Sequence, residues 1–310
     1  MFKQNWERWN ENIKLPSDYD SLEVVRCQGG CMNYNYRVVA KGRTLLLRVN
    51  NRKPSLAKLE YLIERKLRGV LPIPELYEVG EGYSVQQFVE GVLLSQVVQD
   101  EPERSWLPAI RQAGQAVGVL QGIKFEFMGF FDENLQPQKA NSPHPLWDFA
   151  QEMLENANVR KALGDLHVHL YGVVHDYKEL ITEPFEATFV HGDFDPSNII
   201  VQKCRGKWRI AAIIDWEFAS AGYWLWDVGN MLRYAHKLPK SYEGEFLGGV
   251  LESLELPSNW RQQCIIHNIL ALLDILSRDD PVLRPVATKD IYGLLSHFMA
   301  AMALLTKSQQ

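Results

Sequence analysis

The sequence predicts an α+β fold in two consecutive parts: a strand-rich portion of residues 1–90 and a mainly helical portion of residues 91–310. Three observations carry this expectation. The first ninety residues read as strands interrupted by one helix, in the order β-β-β-α-β-β. Beyond Gly91 the apolar residues change to helical periodicity. The chain has 310 residues and is 46% hydrophobic, enough to bury a sizeable core without disulfides or a structural metal.

Residues 22–27, 34–40 and 44–49 are rich in Val, Leu and Tyr and read as strands. Lys41-Gly42 supplies a turn, so the second and third should pair as a hairpin. Leu56, Leu59, Leu62, Ile63 and Leu67 then recur at helical spacing, with Ser55 placed to cap that helix and Gly69 to end it. The run Leu71-Pro72-Ile73-Pro74 enforces extended chain, because proline disfavours helix at the residue before it. Strands at 75–79 and 83–89 follow, joined at Gly80-Glu81-Gly82. In the second part, helices are expected at about 105–121, 146–163, 165–182, 224–236, 243–254, 259–276 and 289–305. Short strands are expected near 188–190, 199–202 and 209–214, and an exposed loop at 137–145.

Composition narrows the function classes. The net charge is −5 and the pI about 5.9, without the basic surplus of a general nucleic-acid binder. The cysteines Cys27, Cys31, Cys204 and Cys264 form no C-x-x-C pair and have no histidines at zinc-finger spacing. Reduced thiols in a cytoplasmic protein are the expectation. The start, MFKQNWERWN, lacks the apolar region of a secretory signal. The longest apolar stretch, residues 265–276, contains His267, Asn268 and Asp274 and is too short and polar to span a bilayer; a buried amphipathic helix is expected there.

The most informative stretch is FVHGDFDPSNIIV, residues 189–201. An apolar strand enters a polar loop displaying His191, Asp193 and Asn198, and an apolar strand leaves it. After a turn at Cys204-Arg205-Gly206, a second apolar run at 210–214 ends in Asp215-Trp216-Glu217. A hairpin would set the two strand ends side by side. Phosphoryl transfer from ATP needs such a set. The triphosphate and its loose transition state are highly anionic, so divalent metal must neutralise and orient the phosphates. Magnesium prefers oxygen ligands, which Asn198 and Asp215 supply. A further group must position the attacking hydroxyl, and Asp193 precedes Asn198 by five residues. An ordinary aspartate has a pKa of about 4, so its role is orientation and late proton acceptance.

His191-Gly192-Asp193 with Asn198, followed by Ile214-Asp215-Trp216-Glu217 and by Gly222 and Asp227 in GYWLWDVGN, resembles the aminoglycoside phosphotransferase and choline kinase-like family. The resemblance runs from about Ser21 to the C-terminal helices. It implies a protein-kinase-like bilobal fold, with a five-stranded antiparallel N-lobe sheet carrying one helix, nucleotide bound in residues 1–90, and a helical catalytic and substrate-binding lobe in 91–310. It implies Asp193 as catalytic base, Asn198 and Asp215 as magnesium ligands, His191 as an organiser of the loop and Asp227 as its tether. In the N-terminal part, Gly29 and Gly30 fall on the turn between the first two strands, where backbone N–H groups can face phosphates. Arg48 stands where relatives carry a phosphate-binding Lys or Arg, with Glu60 as its ion-pair partner. Gln87 and Val89 match the hinge whose backbone meets adenine.

The departures are also informative. D-F-G, H-R-D and A-P-E are absent, which disfavours a protein kinase. Gln121 lies where many relatives end a helix in Leu-His, and no function attaches to that change. Trp216, Trp224 and Trp226 are expected in the core. Asp148, Glu152 and Glu155 lie at i, i+4 and i+7 on one helix face. They form either a solvated face or a stripe that attracts a polyamine. The expected reaction is O-phosphorylation of a small molecule with ATP and Mg2+, with no nucleic-acid or membrane partner. An aminoglycoside or other antibiotic is the leading acceptor class. A metabolic kinase for choline, an amino alcohol or a sugar is the alternative, and a catalytically inactive nucleotide-binding module is the alternative of another class.

Overall fold

The computed structural model describes residues 23–27, 33–40, 42–50, 55–80, 83–278 and 280–307. In chain order the elements are β1 (Glu23–Arg26), β2 (Asn33–Ala40), β3 (Arg43–Asn50), α1 (Ser55–Leu67), β4 (Leu76–Gly80), β5 (Tyr83–Gln87), β6 (Val92–Leu93), α2 (Leu94–Asp100) and α3 (Glu103–Gln121). Next come β7 (Lys124–Phe125), β8 (Gly129–Phe130), α4 (Pro145–Glu155), α5 (Ala157–Leu163), α6 (Leu166–Asp176), α7 (Glu179–Thr182), β9 (Ala187–Val190), β10 (Ile199–Cys204) and β11 (Lys207–Ile213). The chain ends with β12 (Ser220–Gly222), α8 (Leu225–Leu232), α9 (Lys240–Val250), α10 (Trp260–Arg278) and α11 (Pro285–Lys307).

The β-β-β-α-β-β order is present, and its five strands form one antiparallel sheet in the order β1-β2-β3-β5-β4. Ala40 pairs with Arg43 across the expected hairpin turn, with Gly42 at φ 74°; Lys41 lies outside the described residues. Leu45 and Leu47 point to one face of β3, where they pack with Tyr36, Val38, Tyr83 and Val85. Period two turns Arg48 to the opposite face. Helix α1 buries Ala57, Leu59, Glu60, Ile63, Glu64 and Leu67, a stripe at helical spacing. Ser55 is the first residue of that helix rather than the residue before it. Gly69, at φ 79°, follows its end as expected. Glu81 and Gly82 of the β4–β5 turn lie outside the described residues.

By contacts the chain divides into two compact units. The first reaches to Ala109 and takes in 131–136 and 196–218; the second holds 110–130, 137–195 and 219–310. In the first unit, besides the five-stranded sheet, β11, β10 and β6 form a small antiparallel sheet. Arg205 and Gly206 close the β10–β11 hairpin with φ of 49° and 77°, the paired left-handed conformations of a tight two-residue turn.

In the second unit, β7-β9-β12-β8 form a small sheet and the helices build the core. Helix α10 is its centre: Ile266, Ile269, Leu270 and Leu273 are fully buried against α4, α5, α6, α7 and α11. The expected helix at 146–163 is broken at Asn156, whose backbone is extended and whose side chain accepts from the N–H of Asn158 (2.9 Å) and Val159 (3.3 Å) to start α5. The expected helix at 165–182 likewise divides into α6 and α7, and that at 224–236 shortens to α8. No described helix is long and apolar enough to cross a membrane.

His267 is the outlier in this core. It is buried on α10 between the rings of Trp226 and Tyr223, at centroid distances of 5.4 and 5.9 Å, and its Nδ1 has no hydrogen-bond partner. Burial pushes its pKa down from 6.5 to about 4. Between those values the unfolded chain takes up a proton that the folded chain refuses, so this residue lowers stability as pH falls from 6.5 to 4. His267→Phe removes that penalty. The variant is expected to gain stability relative to wild type across this window, by about 3 kcal/mol at its acid end. Parallel urea titrations of both proteins check this; a difference that stays constant with pH would show that His267 is protonated in the folded state.

Candidate active site

In the first unit the site is built on Arg48. Its side chain is about 10% exposed and bridges two acids: Nη1 lies 2.9 Å from Glu60 Oε1 and Nη2 donates to Asp215 Oδ1 at 2.7 Å. The Arg48–Glu60 pair expected from the sequence is present. The second arm, to Asp215, was not anticipated, because it joins residues 167 apart in sequence. Glu60 is buried, and burial raises its pKa; Arg48 pulls it back down, while the charges of Asp215 and Glu217 push the same way as burial.

Hairpin pairing sets Asn198 beside the strand end that carries Asp215. Ile199 pairs with Ile213, and the Ile214 N–H donates to the Asn198 carbonyl at 2.9 Å. Asn198 ends a short 3-10 turn begun by Pro196 and is buried. Asp215 sits at φ 68°, in left-handed backbone that Asp tolerates better than most residues, and its side chain is 37% exposed. Buried Trp216 anchors the next turn through Nε1 to the Ile213 carbonyl. An amide oxygen and a partly open carboxylate are hard donors of the kind magnesium accepts alongside phosphate and water. The residues present therefore fit that ion.

Gln87 ends β5; its N–H donates to the Glu75 carbonyl at 2.8 Å, and its side-chain oxygen accepts from the Glu75 N–H at 3.3 Å. Val89 follows in irregular chain. Gly91, at φ 147°, lies where a Cβ would come within 2.6 Å of both Ile200 Cγ2 and the Val201 carbonyl. Glycine is what lets the chain cross β10 there. Gly29 and Gly30 lie outside the described residues.

In the second unit, β9 delivers His191, Gly192 and Asp193. Asp227 is buried on α8; its carboxylate accepts from the His191 N–H at 2.7 Å and the Gly192 N–H at 3.0 Å. The expected tether is thus present. Burial pushes its pKa up to about 7, against the two N–H bonds that favour the anion; the charge of Asp193 adds to the rise. Trp226 Nε1 (3.1 Å) and Asn230 Nδ2 (3.0 Å) both donate to the Gly192 carbonyl, so α8 holds both the N–H and the C=O of Gly192. Gly192 has φ 83°. The Asp193 N–H donates to Nδ1 of fully buried His191 at 3.3 Å, which makes His191 an organiser of the loop. Asp193 itself is half-buried.

Trp216 and Trp224 lie in the core as expected, but Trp226 also serves the loop. Its spacing from Asp227 and Asn230, one and four residues on a helix, was the available signal. Asp148, Glu152 and Glu155 are exposed on α4, opposite buried Ala150, Met153 and Leu154, as a solvated face.

The profile of the phosphotransferase enzyme family matches residues 23–263. A hygromycin-B 4-O-kinase from Escherichia coli is 27% identical over 237 residues, covering 70% of this chain and 64% of that protein's length. A thermostable mutant of the aminoglycoside phosphotransferase APH(4)-Ia, solved with ADP and hygromycin B, aligns with TM-score 0.69 and 19% identity over 95% of this chain and 97% of its own. A choline/ethanolamine kinase family protein from Mesorhizobium loti aligns with TM-score 0.61 and 18% identity over 97% and 99%. These likenesses establish the protein-kinase-like α+β fold. With the family profile spanning both the five-stranded sheet and the tethered loop, the chain belongs to the phosphotransferase enzyme family.

Proposed function

We propose that this protein transfers the γ-phosphoryl group of ATP to a hydroxyl of a small molecule. The observation that carries this reading is the Arg48 fork, a buried cation held by Glu60 and facing Asp215. Such a cation can bind the α- and β-phosphates while Asp215, with Asn198, holds Mg2+. When bound, Mg2+ would neutralise and orient the phosphates. Asp193 would orient the acceptor hydroxyl and take its proton late, on a loop whose backbone Asp227 fixes. Residues 1–90, with Gly29, Gly30, Gln87 and Val89 toward the nucleotide, form the proposed ATP-binding lobe, and 91–310 the catalytic and acceptor lobe.

The leading acceptor class is an aminoglycoside, supported by the similarity to a hygromycin-B 4-O-kinase and to a structure holding hygromycin B. The choline/ethanolamine kinase neighbour supports the alternative of an amino alcohol acceptor. An ADP-release screen over hygromycin B, other aminoglycosides, macrolides, choline, homoserine and methylthioribose separates these. Stimulation by one class identifies it. ATP binding without stimulation by any alcohol would support an inactive nucleotide-binding module.

Asp193→Asn should lower kcat by ~10²–10⁴-fold and leave ATP binding intact. Asp215→Ala should weaken binding of Mg2+ and ATP as well as turnover. Titration of a fluorescent ATP analogue with and without Mg2+ checks both; near wild-type kcat in Asp193→Asn would remove Asp193 from the mechanism.

Arg48→Ala should lower kcat/KM for ATP by roughly tenfold to a hundredfold, about 1.4–2.7 kcal/mol, with the acceptor KM little changed. Arg48→Lys should recover only part of this, because a point charge cannot hold Glu60 and its second partner with a planar fork. Steady-state kinetics with ATP varied decide the matter, and a wild-type ATP profile in Arg48→Ala would make the pair purely structural.

A further inference from the structure

Behind the Asp193 loop lies a second buried cation that the proposed chemistry does not use. Arg233 caps the C-terminal end of α8 and is 8% exposed. Its Nε donates to Asn268 Oδ1 at 2.8 Å and its Nη2 to Asn230 Oδ1 at 2.5 Å. A guanidinium carries five donors and no acceptor. Each asparagine must therefore give Arg233 its oxygen, which turns its NH2 group away. Asn230 Nδ2 then meets the Gly192 carbonyl at 3.0 Å, and Asn268 Nδ2 meets the Gly229 carbonyl at 2.7 Å. A neutral side chain at 233 would leave both amides without a donor to orient them.

Burying a cation against two neutral amides is expensive. Burial lowers the proton affinity of this guanidinium, and the charges of Asp193 and Asp195 restore part of it. The costly group thus sits within electrostatic reach of the loop's two carboxylates and two hydrogen bonds from its backbone, through Asn230.

We propose that Arg233 is a positioning residue for phosphoryl transfer: by fixing the Asn230 amide it holds the Gly192 carbonyl, and through it the carboxylate of Asp193, in register. The proposal rests on the phosphotransfer reading for its kinetic consequence but not for its structural one. Trp226 Nε1 also binds the Gly192 carbonyl, so loss of Arg233 should loosen the loop rather than unfold it.

The test uses full-length wild type, Arg233→Met, Arg233→Lys, Asn230→Ala and Asp193→Asn. Three readouts are needed: thermal stability, hydrogen exchange of peptides covering residues 189–198, and kinetics with ATP and hygromycin B. Arg233→Met should lower Tm modestly, because two buried amide oxygens lose their donor, speed exchange of the loop roughly tenfold as Asn230→Ala does, and leave exchange remote from the loop and α8 unchanged. Its kcat should fall roughly tenfold to a hundredfold at an unchanged ATP KM, since a small misplacement of a reacting group costs that much. Arg233→Lys should fall between, because an ammonium can still donate to the amides. Unchanged loop exchange in Arg233→Met overturns the proposal whether or not hygromycin B is an acceptor. So does exchange rising throughout the protein, the mark of a purely structural residue. Failure of the phosphotransfer reading would show separately, as no ATP-dependent transfer by the wild type to any acceptor screened.

Discussion

The buried carboxylate of Asp227 is the constraint on which the loop geometry depends. Two adjacent amide groups, those of His191 and Gly192, point at it and are satisfied there. A buried N–H without a partner costs about as much as a lost hydrogen bond, so the loop cannot leave this arrangement cheaply. Gly192 supplies the positive φ that brings both groups round to one acceptor. With Trp226 and Asn230 on the Gly192 carbonyl, one short helix fixes both the N–H and the C=O of Gly192. Asp193 inherits its placement from that frame.

The first unit reaches its own fixed geometry by charge instead of amide bonding. Arg48 is buried between a buried acid and a partly open one. Glu60 has little access to water and is held by Arg48 and helix α1. Asp215 keeps more than a third of its side chain exposed and so remains available to ligands. The asymmetry divides labour between the two carboxylates, one anchoring the guanidinium and the other open to exchange partners.

Much of this was legible in the sequence. Alternation located β2 and β3, where Tyr36, Val38, Leu45 and Leu47 face the core, and glycines marked the β2–β3 and β4–β5 turns. The HGD and IDWE segments announced themselves because polar residues interrupt apolar strands. The helix break at Asn156 was harder to read, since apolar spacing continues across it while one side-chain cap decides the backbone. The Arg48–Asp215 contact and the Arg233 relay were not legible, because both are made between segments far apart in the chain. Asn230 and Asn268 look like ordinary polar residues until a shared donor gives each an orientation.

Asp215 is specified twice over. Its left-handed φ of 68° suits Asp, Asn and Gly and strains most other residues. Its proposed chemistry needs a carboxylate. Only one residue type meets both demands. Asparagine keeps the backbone and removes the charge, whereas glutamate keeps the charge and places it on a backbone that resists the turn. Asparagine therefore isolates the charge, while glutamate changes the backbone strain together with the reach of the carboxylate.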